Sequence, residues 1–223
     1  MMRFLLFLFL LISPVALAQD IPAETTAVAD TLYRPNYPEG VYLTKEDFVN
    51  KRAVIRKVWP INVTGLDNKV QPTGVHTCYF YGSDLRKIPD AFAVSHKGHL
   101  YFQLKAIFKY CNEDDRNETS NFENSFVRVI IGGENYFYTE APLANIWAQG
   151  IGYGVGGAVG GAIAGRIQGK GIVWDFKKQQ FNIFKNCKDY NDFIGWQYTP
   201  GVIDCKDKKQ NPYKVRKAID TIK

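Results

Sequence analysis

The sequence predicts an α+β fold dominated by an antiparallel β-sheet, a meander or roll, with short helices and one glycine-rich helical segment. Three observations support this fold class. Short stretches rich in β-branched and aromatic residues recur along the chain. Several of them are separated by turn sequences typical of tight hairpins, such as Lys97-Gly98. One glycine-rich stretch, residues 143–169, interrupts the series and lacks the alternation of a half-buried strand over most of its length.

The N-terminus has the features of a secretory signal peptide. Arg3 precedes an apolar run over residues 4–12, and Ala16-Leu17-Ala18 provides a small-x-small cleavage site. We therefore expect residues 1–18 to be removed and the protein to be exported, with a periplasmic, envelope-associated or extracellular address. Residues 19–37 have no usable period and contain two prolines, so we interpret them as an extended linker.

A β-rich domain is predicted over residues 38–203, and it begins close to a short helix. Thr44 is a good N-cap, and Asp47 stands at the third helical position, where a carboxylate favours the helix start. We expect a helix over residues 45–50 that packs Phe48 against the sheet.

The same region resembles the opening of a family of uncharacterised secreted proteins of Bacteroidota. The resemblance rests on these runs: Gly40-Val41-Tyr42-Leu43-Thr44, Glu46-Asp47-Phe48, Lys51-Arg52, Gly98-His99-Leu100-Tyr101-Phe102 and Asp192-Phe193. It covers roughly residues 38–195. The resemblance implies export and an envelope or extracellular address, and it supplies no catalytic residues.

Eight strands are predicted from β-branched and aromatic content, at residues 54–63, 75–81, 91–95, 99–108, 126–131, 136–139, 172–176 and 181–184. Turns at 97–98, 132–135 and 177–180 would join consecutive strands as hairpins. In the last hairpin, Trp174 and Phe176 would point inward opposite Phe181 and Ile183. The polar loop 112–124 is expected to be exposed, and a short helix is expected over residues 187–196.

The sequence has four cysteines. Because we expect the protein to be exported to an oxidising compartment, we expect disulfides to form and persist. We favour a bond between Cys187 and Cys205, which would close a short loop, and then a bond between Cys78 and Cys111 by default. Free, buried thiols are the alternative for the second pair. The spacing excludes a C-x-x-C redox or zinc motif.

The glycine-rich segment has a four-residue repeat. Ten of the nineteen glycines lie between Gly150 and Gly171, and no charged residue occurs from Ala141 to Gly165. This repeated small-xxx-small pattern, a glycine zipper, allows close helix packing. A loop or a strand is the competing interpretation. The predicted residues of helix packing or membrane contact are Trp147, Ile151, Gly152, Val155, Gly156, Gly157, Val159, Gly160, Gly161, Ile163 and Gly165.

Charge gives little indication of a partner. The net charge of +6 is too small and dispersed to indicate nucleic-acid binding. Residues 204–223 form a basic C-terminal tail, for which we expect a solvated face and, after Pro212, a helix. Contact with anionic lipid is the alternative for this tail.

The only candidate metal ligands are weak. His96 and His99 flank the Lys97-Gly98 turn and would face each other across the hairpin. A zinc site needs at least one more protein ligand. His76 or Asp90 could serve, but their spacing does not indicate that either is a ligand. We therefore expect no metal and no cofactor. The nucleophile, zincin and P-loop motifs are absent from the sequence, which argues against an enzyme.

Two main functions follow from these observations, and a metal-dependent hydrolase that uses His96 and His99 is a third. In the first, an exported non-enzymatic protein uses residues 143–169 to pack against itself, a partner helix or a membrane surface. Trp147 and Tyr153 would then be interfacial anchors, and Arg166 and Lys170 would belong to a polar flank. In the second, the protein is a soluble ligand- or protein-binding module, the segment packs on its own domain, and Tyr79, Tyr81 and Tyr101 line a ligand face.

The two halves of the predicted sheet constrain the first function. If residues 143–167 crossed a membrane, residues 172–184 could not join the same sheet as residues 126–139. We therefore favour a broken or re-entrant helix, or peripheral contact, over a simple crossing.

Overall fold

The computed structural model describes residues 33–54, 57–62, 77–120, 122–141, 143–145, 170–206 and 212–223. Within them the fold is α+β and mostly antiparallel sheet, as the sequence predicts. The strands are β1 Gly40–Tyr42, β2 Trp59–Asn62, β3 Thr77–Tyr81, β4 Ala93–His96, β5 His99–Gln103, β6 Glu118–Thr119, β7 Phe126–Gly132, β8 Tyr136–Ala141, β9 Ala144–Asn145, β10 Lys170–Asp175 and β11 Gln180–Ile183. The helices are α1 Lys45–Val49, α2 Leu104–Lys109, α3 Cys187–Ile194 and α4 Pro212–Ile222.

One nine-stranded sheet organises the domain. Its main path runs β1-β4-β5-β7-β8-β10-β11, while β3 pairs with β7, and β2 pairs with β3. Strands β6 and β9 form a separate two-stranded sheet. Every pairing between the strands named above is antiparallel. Three of the pairs are hairpins, with turns at residues 97–98, 133–135 and 176–179.

The sheet curves around an aromatic core on one face. Trp174 of β10 is paired with Phe137 of β8 on one side and with Phe181 of β11 on the other. Phe92 precedes β4 but stacks on Phe181, with ring centroids 5.8 Å apart, so the two ends of the strand path approach each other. Edge-to-face and offset ring contacts of this kind add to the stability that comes from area burial alone. The predicted inward orientation of Trp174 opposite Phe181 is confirmed.

Helix α1 closes this core because its first turn is well capped. The Thr44 hydroxyl accepts from the Asp47 N–H, and the Asp47 carboxylate accepts from the Thr44 N–H, which together form a capping box. The helix buries Phe48 completely, against Phe92 and Trp174 among other rings. The predicted cap and the predicted role of Phe48 are both confirmed.

The opposite face of β8 and β10 is covered by α3 and α4. Val215, Ala218 and Ile219 of α4 are buried against Tyr136, Tyr138 and Val173 of the sheet. The helix predicted after Pro212 is present, but it belongs to the folded domain rather than to a solvated tail, because one side of it is apolar. The predicted linker also ends in the core, where Tyr33 and Tyr37 pack against Phe137.

The predicted strand over residues 99–108 is wrong beyond Gln103. The buried Gln103 side chain accepts from the Ala91 N–H and donates to the carbonyl of Pro89, which ends the strand at a fixed point. From Leu104 the chain is helical, with Leu104 and Ile107 buried at the i, i+3 spacing of one helix face. Strands β1, β6 and β9 are too short to have a sequence signal.

Candidate functional site

The glycine-rich segment is flanked by the ends of two neighbouring strands, β8 and β10. Ala141, the last residue of β8, is the register partner of Lys170, the first residue of β10. The two residues that flank residues 142–169 are therefore held at neighbouring positions in the sheet. We call this place, formed by Glu118, Ala141, Asn145 and Lys170, the base of the segment.

One buried glutamate holds both sides of the base. The Lys170 ammonium donates to both carboxylate oxygens of Glu118 at 2.7 Å, and the two side chains are only 18% and 2% exposed. The backbone of the same Glu118 pairs with Asn145, which lies on the departing side. Glu118 thus holds β9 through its backbone and β10 through its side chain.

The chain between β8 and β9 has a further anchor at Leu143. Leu143 is buried in the aromatic core, and its N–H donates to the carbonyl of Ala141 at 3.0 Å. Strand β10 is closely packed at Gly171, where an added Cβ would lie 2.9 Å from both Phe184 and Tyr138. A larger residue at position 171 would therefore push β10 away from its neighbours.

A second buried carboxylate lies beside the base on β8. Glu140 is the register partner of Gly171 and forms an ion pair with Arg216 of α4, with the shortest N–O distance 2.8 Å. Its oxygen also accepts from the Tyr138 hydroxyl at 2.9 Å. Burial, and then the neighbouring Glu140 carboxylate, raise the pKa of Tyr138 well above its ordinary value. Tyr138 is therefore a permanent hydrogen-bond donor that helps to fix Glu140.

These contacts correct two sequence interpretations. Lys170 is not part of a free polar flank, because Glu118 pairs with it. The loop 112–124 is not uniformly exposed, because Asp115, Glu118 and Ser120 are buried. The Asp115 carboxylate accepts from the Ile183 N–H at 2.7 Å and lies 3.1 Å from the Lys185 ammonium, so the loop is tied to β11.

The packing residues predicted within the segment lie outside the described part of the chain, namely Trp147, Ile151, Gly152, Val155, Gly156, Gly157, Val159, Gly160, Gly161, Ile163 and Gly165. The same is true of Tyr153 and Arg166. The packing prediction stays a prediction for all of them. Among the helices that the structure describes, none combines the length and the apolar character that a membrane crossing requires.

The two weak metal candidates are register partners, as predicted from the hairpin. His96 lies opposite His99, and its Nδ1 is 3.6 Å from a carboxylate oxygen of Glu39. Burial is the main cause that lowers the pKa of both imidazoles, and Arg128 and Arg34 lower that of His99 further. Across the described ranges no group of three potential ligands is close enough to hold a metal ion. Asp90 is instead paired with Lys105, and His76 lies outside those ranges.

The three tyrosines of the alternative function do not share one face. Thr77 and Phe102 are both register partners of Val127, so their side chains lie on the same face of the sheet. Tyr79 and Tyr81 follow Thr77 at intervals of two residues and therefore share that face. Tyr101 precedes Phe102 and therefore points to the opposite face, where its ring packs on Phe80 at 5.0 Å. A single ligand face lined by all three rings is excluded.

The cysteines form one disulfide. Cys187 and Cys205 are bonded, with their Cα atoms 5.5 Å apart, as predicted. The default pairing of Cys78 with Cys111 is wrong, since both are free thiols. Cys78 is buried among Val58 and Phe80, whereas Cys111 packs against the aromatic core beside Phe181, so different elements separate them.

Comparison with known proteins gives no family for this chain. No family model matches it, no curated protein matches it, and no solved structure matches it.

Proposed function

We propose that this is an exported, non-enzymatic protein in which the β-rich domain presents residues 143–169 as a helix-packing element at the surface of the cell envelope. The partner is a second copy of the chain or another small-residue helix, and the contacts are made by the glycine rows. A repeated small-xxx-small row is self-complementary, because the same surface on two helices allows their backbones to approach closely. The N-terminal signal sequence and the disulfide support the address outside the cytoplasm.

The observation that carries the proposal is the pairing of Ala141 with Lys170. Since the two ends are neighbours in one sheet, a single passage through a bilayer would put β8 and β10 on opposite sides of it. Two passages would leave about twelve residues for each arm, or about 18 Å as a helix, against a hydrocarbon core of ~30 Å. The geometry therefore favours packing or shallow contact on one side of the domain.

The Glu118–Lys170 ion pair supports the same function. If residues 142–169 served only to connect β8 to β10, a short hairpin turn would be sufficient. Here the chain instead carries a buried, doubly hydrogen-bonded ion pair at the base, and Leu143 anchors the departing strand. Such contacts hold both ends of the segment, and fixed ends lower the entropy cost of binding a partner.

The test replaces three glycines of one row with leucine in the full chain: Gly157→Leu, Gly161→Leu and Gly165→Leu. The matched control changes the adjacent aliphatic row without blocking close approach: Val155→Leu, Val159→Leu and Ile163→Leu. We expect the glycine variant to lose self-association or its envelope fraction, while the control keeps both. Circular dichroism should show the same β-sheet content for all three proteins.

The outcome distinguishes the remaining possibilities. If the glycine variant keeps the oligomeric state and the cell fraction of the parent, the packing function is wrong. If carbonate washing releases the parent cleanly as a monomer, the soluble binding module is the better description.

A further inference from the structure

A shallow polar cleft in the domain uses none of the residues that form the base of the segment. It has a volume of about 250 Å³ and is lined by Tyr79, Lys87, Ser120, Phe122, Glu123 and Asn124. Sites that hold drug-sized molecules measure roughly 300–1,000 Å³. The cleft therefore fits a smaller ligand, of about the size of one amino acid.

The positive charge in the lining of the cleft belongs to Lys87. Its ammonium lies 3.9 Å from the centre of the Tyr79 ring, an arrangement that holds the charge in place through a cation–π interaction. Among the described residues, no carboxylate forms an ion pair with it. Lys87 can therefore pair with the carboxylate of a ligand while Tyr79 continues to support it.

The negative charge in the lining of the cleft belongs to Glu123. Its backbone carbonyl accepts from the Lys105 N–H at 2.8 Å, which fixes the loop at the start of α2. Its carboxylate, within the described ranges, has no ion-pair partner. The neighbouring Ser120 is buried, and its oxygen accepts from the Phe122 N–H, so this wall of the cleft is held by its own turn.

The lining of the cleft combines two charged side chains of opposite sign, Lys87 and Glu123, with two aromatic rings, and this combination defines a ligand chemistry. We propose that the cleft binds a zwitterionic α-amino acid with an apolar side chain. Its carboxylate pairs with Lys87, its ammonium pairs with Glu123, and its side chain contacts Tyr79 and Phe122. A neutral sugar would use the hydroxyl and amide of Ser120 and Asn124 but would leave both charges of the cleft without a counter-charge.

Three probes separate the two ion pairs in a calorimetric or NMR titration of the full chain. L-Leucine carries both charges, isoamylamine lacks the carboxylate, and isocaproate lacks the ammonium. We expect leucine to bind most tightly, by up to about fivefold over either analogue, since an exposed ion pair is worth up to about 1 kcal/mol.

Variants then assign each charge to its residue. In Lys87→Met, leucine and isoamylamine should bind equally, and in Glu123→Gln, leucine and isocaproate should bind equally. Lys109→Met is the matched control, because Lys109 also lies over a tyrosine ring, that of Tyr110, but outside the cleft. The control should keep the affinities of the parent.

Two results would overturn the proposal. One is the absence of saturable leucine binding by the parent, and the other is a Lys87→Met protein that distinguishes the probes as the parent does. Neither result bears on the glycine rows, since the probes and variants do not touch residues 143–169. Thermal melts of each variant exclude unfolding as the cause of lost binding.

Discussion

The Lys170 ammonium and the Glu118 carboxylate form a doubly hydrogen-bonded ion pair at the point where the glycine-rich segment rejoins the sheet. The two residues are 52 positions apart in sequence, and Glu118 is almost completely buried. A buried charge that loses its partner is strongly destabilising, whereas an apolar pair of similar size can be nearly neutral. The pair therefore makes the domain sensitive to single changes at either position.

The first prediction concerns this ion pair. Lys170→Met leaves the Glu118 charge buried without its partner and should lower the free energy of unfolding by about 3–5 kcal/mol. The double variant Lys170→Met with Glu118→Leu should recover most of that loss. Urea unfolding of the parent and of both variants measures the difference. A single variant as stable as the parent would show that the ion pair is solvated and does not fix the base.

The second prediction concerns the helix α1. Thr44→Ala removes one half of the capping box and should cost about 1 kcal/mol. Phe48→Ala removes a fully buried ring from the aromatic core and should cost about 3–5 kcal/mol. Chemical denaturation gives both values. Equal losses for the two variants would contradict the account, because the cap is local and the ring is at the centre of the core.

These residues also indicate how far the sequence could predict the structure. The capping box depends on residues three positions apart, and the pairing of Trp174 with Phe181 depends on one short hairpin, so both have local signals. The Glu118–Lys170 pair and the Lys87–Glu123 cleft join distant parts of the chain, and their partners depend on strand order. No local signal in the polar loop 112–124 distinguishes the buried Glu118 from an exposed residue. Likewise, the apolar run 99–108 fits either a strand or a helix, and the bonds of the buried Gln103 end the strand.

The third prediction concerns the disulfide. The Cys187–Cys205 bond closes a loop with a sequence separation of 18 and should contribute about 3 kcal/mol. The double variant Cys187→Ala with Cys205→Ala should melt at a lower temperature than the oxidised parent. Cys111→Ala is the control, since its thiol is free. A reducing agent should lower the melting temperature of the parent and of the control but leave the double variant unchanged.

The fourth prediction concerns pH. The pKa of His96 and of His99 is lowered in the folded state, so the unfolded chain binds more protons as the pH falls through the ordinary histidine range. Stability should therefore decrease from about pH 7.5 to about pH 5. For His96, Glu39 opposes this effect and Lys97 adds to it; for His99, Arg128, Arg34 and His96 all add to it.

Replacement of His99 tests the origin of this pH dependence. His99→Gln removes the imidazole that faces the two arginines, so the stability of the variant should change less steeply over the same interval. The measurement is the free energy of unfolding at a series of pH values. An identical slope in the parent and the variant would assign the pH dependence to other groups.

The central claim is that residues 143–169 contain a packing element and that the domain folds without residues 146–169. The most direct measurement is sedimentation velocity, over a range of protein concentrations, on the parent and on a chain in which a short Gly-Ser linker replaces residues 146–169. Such a linker can close the gap because Glu118 contacts both Asn145 and Lys170. We predict a concentration-dependent assembly for the parent and a folded monomer for the shortened chain. The same assembly in both proteins would contradict the claim.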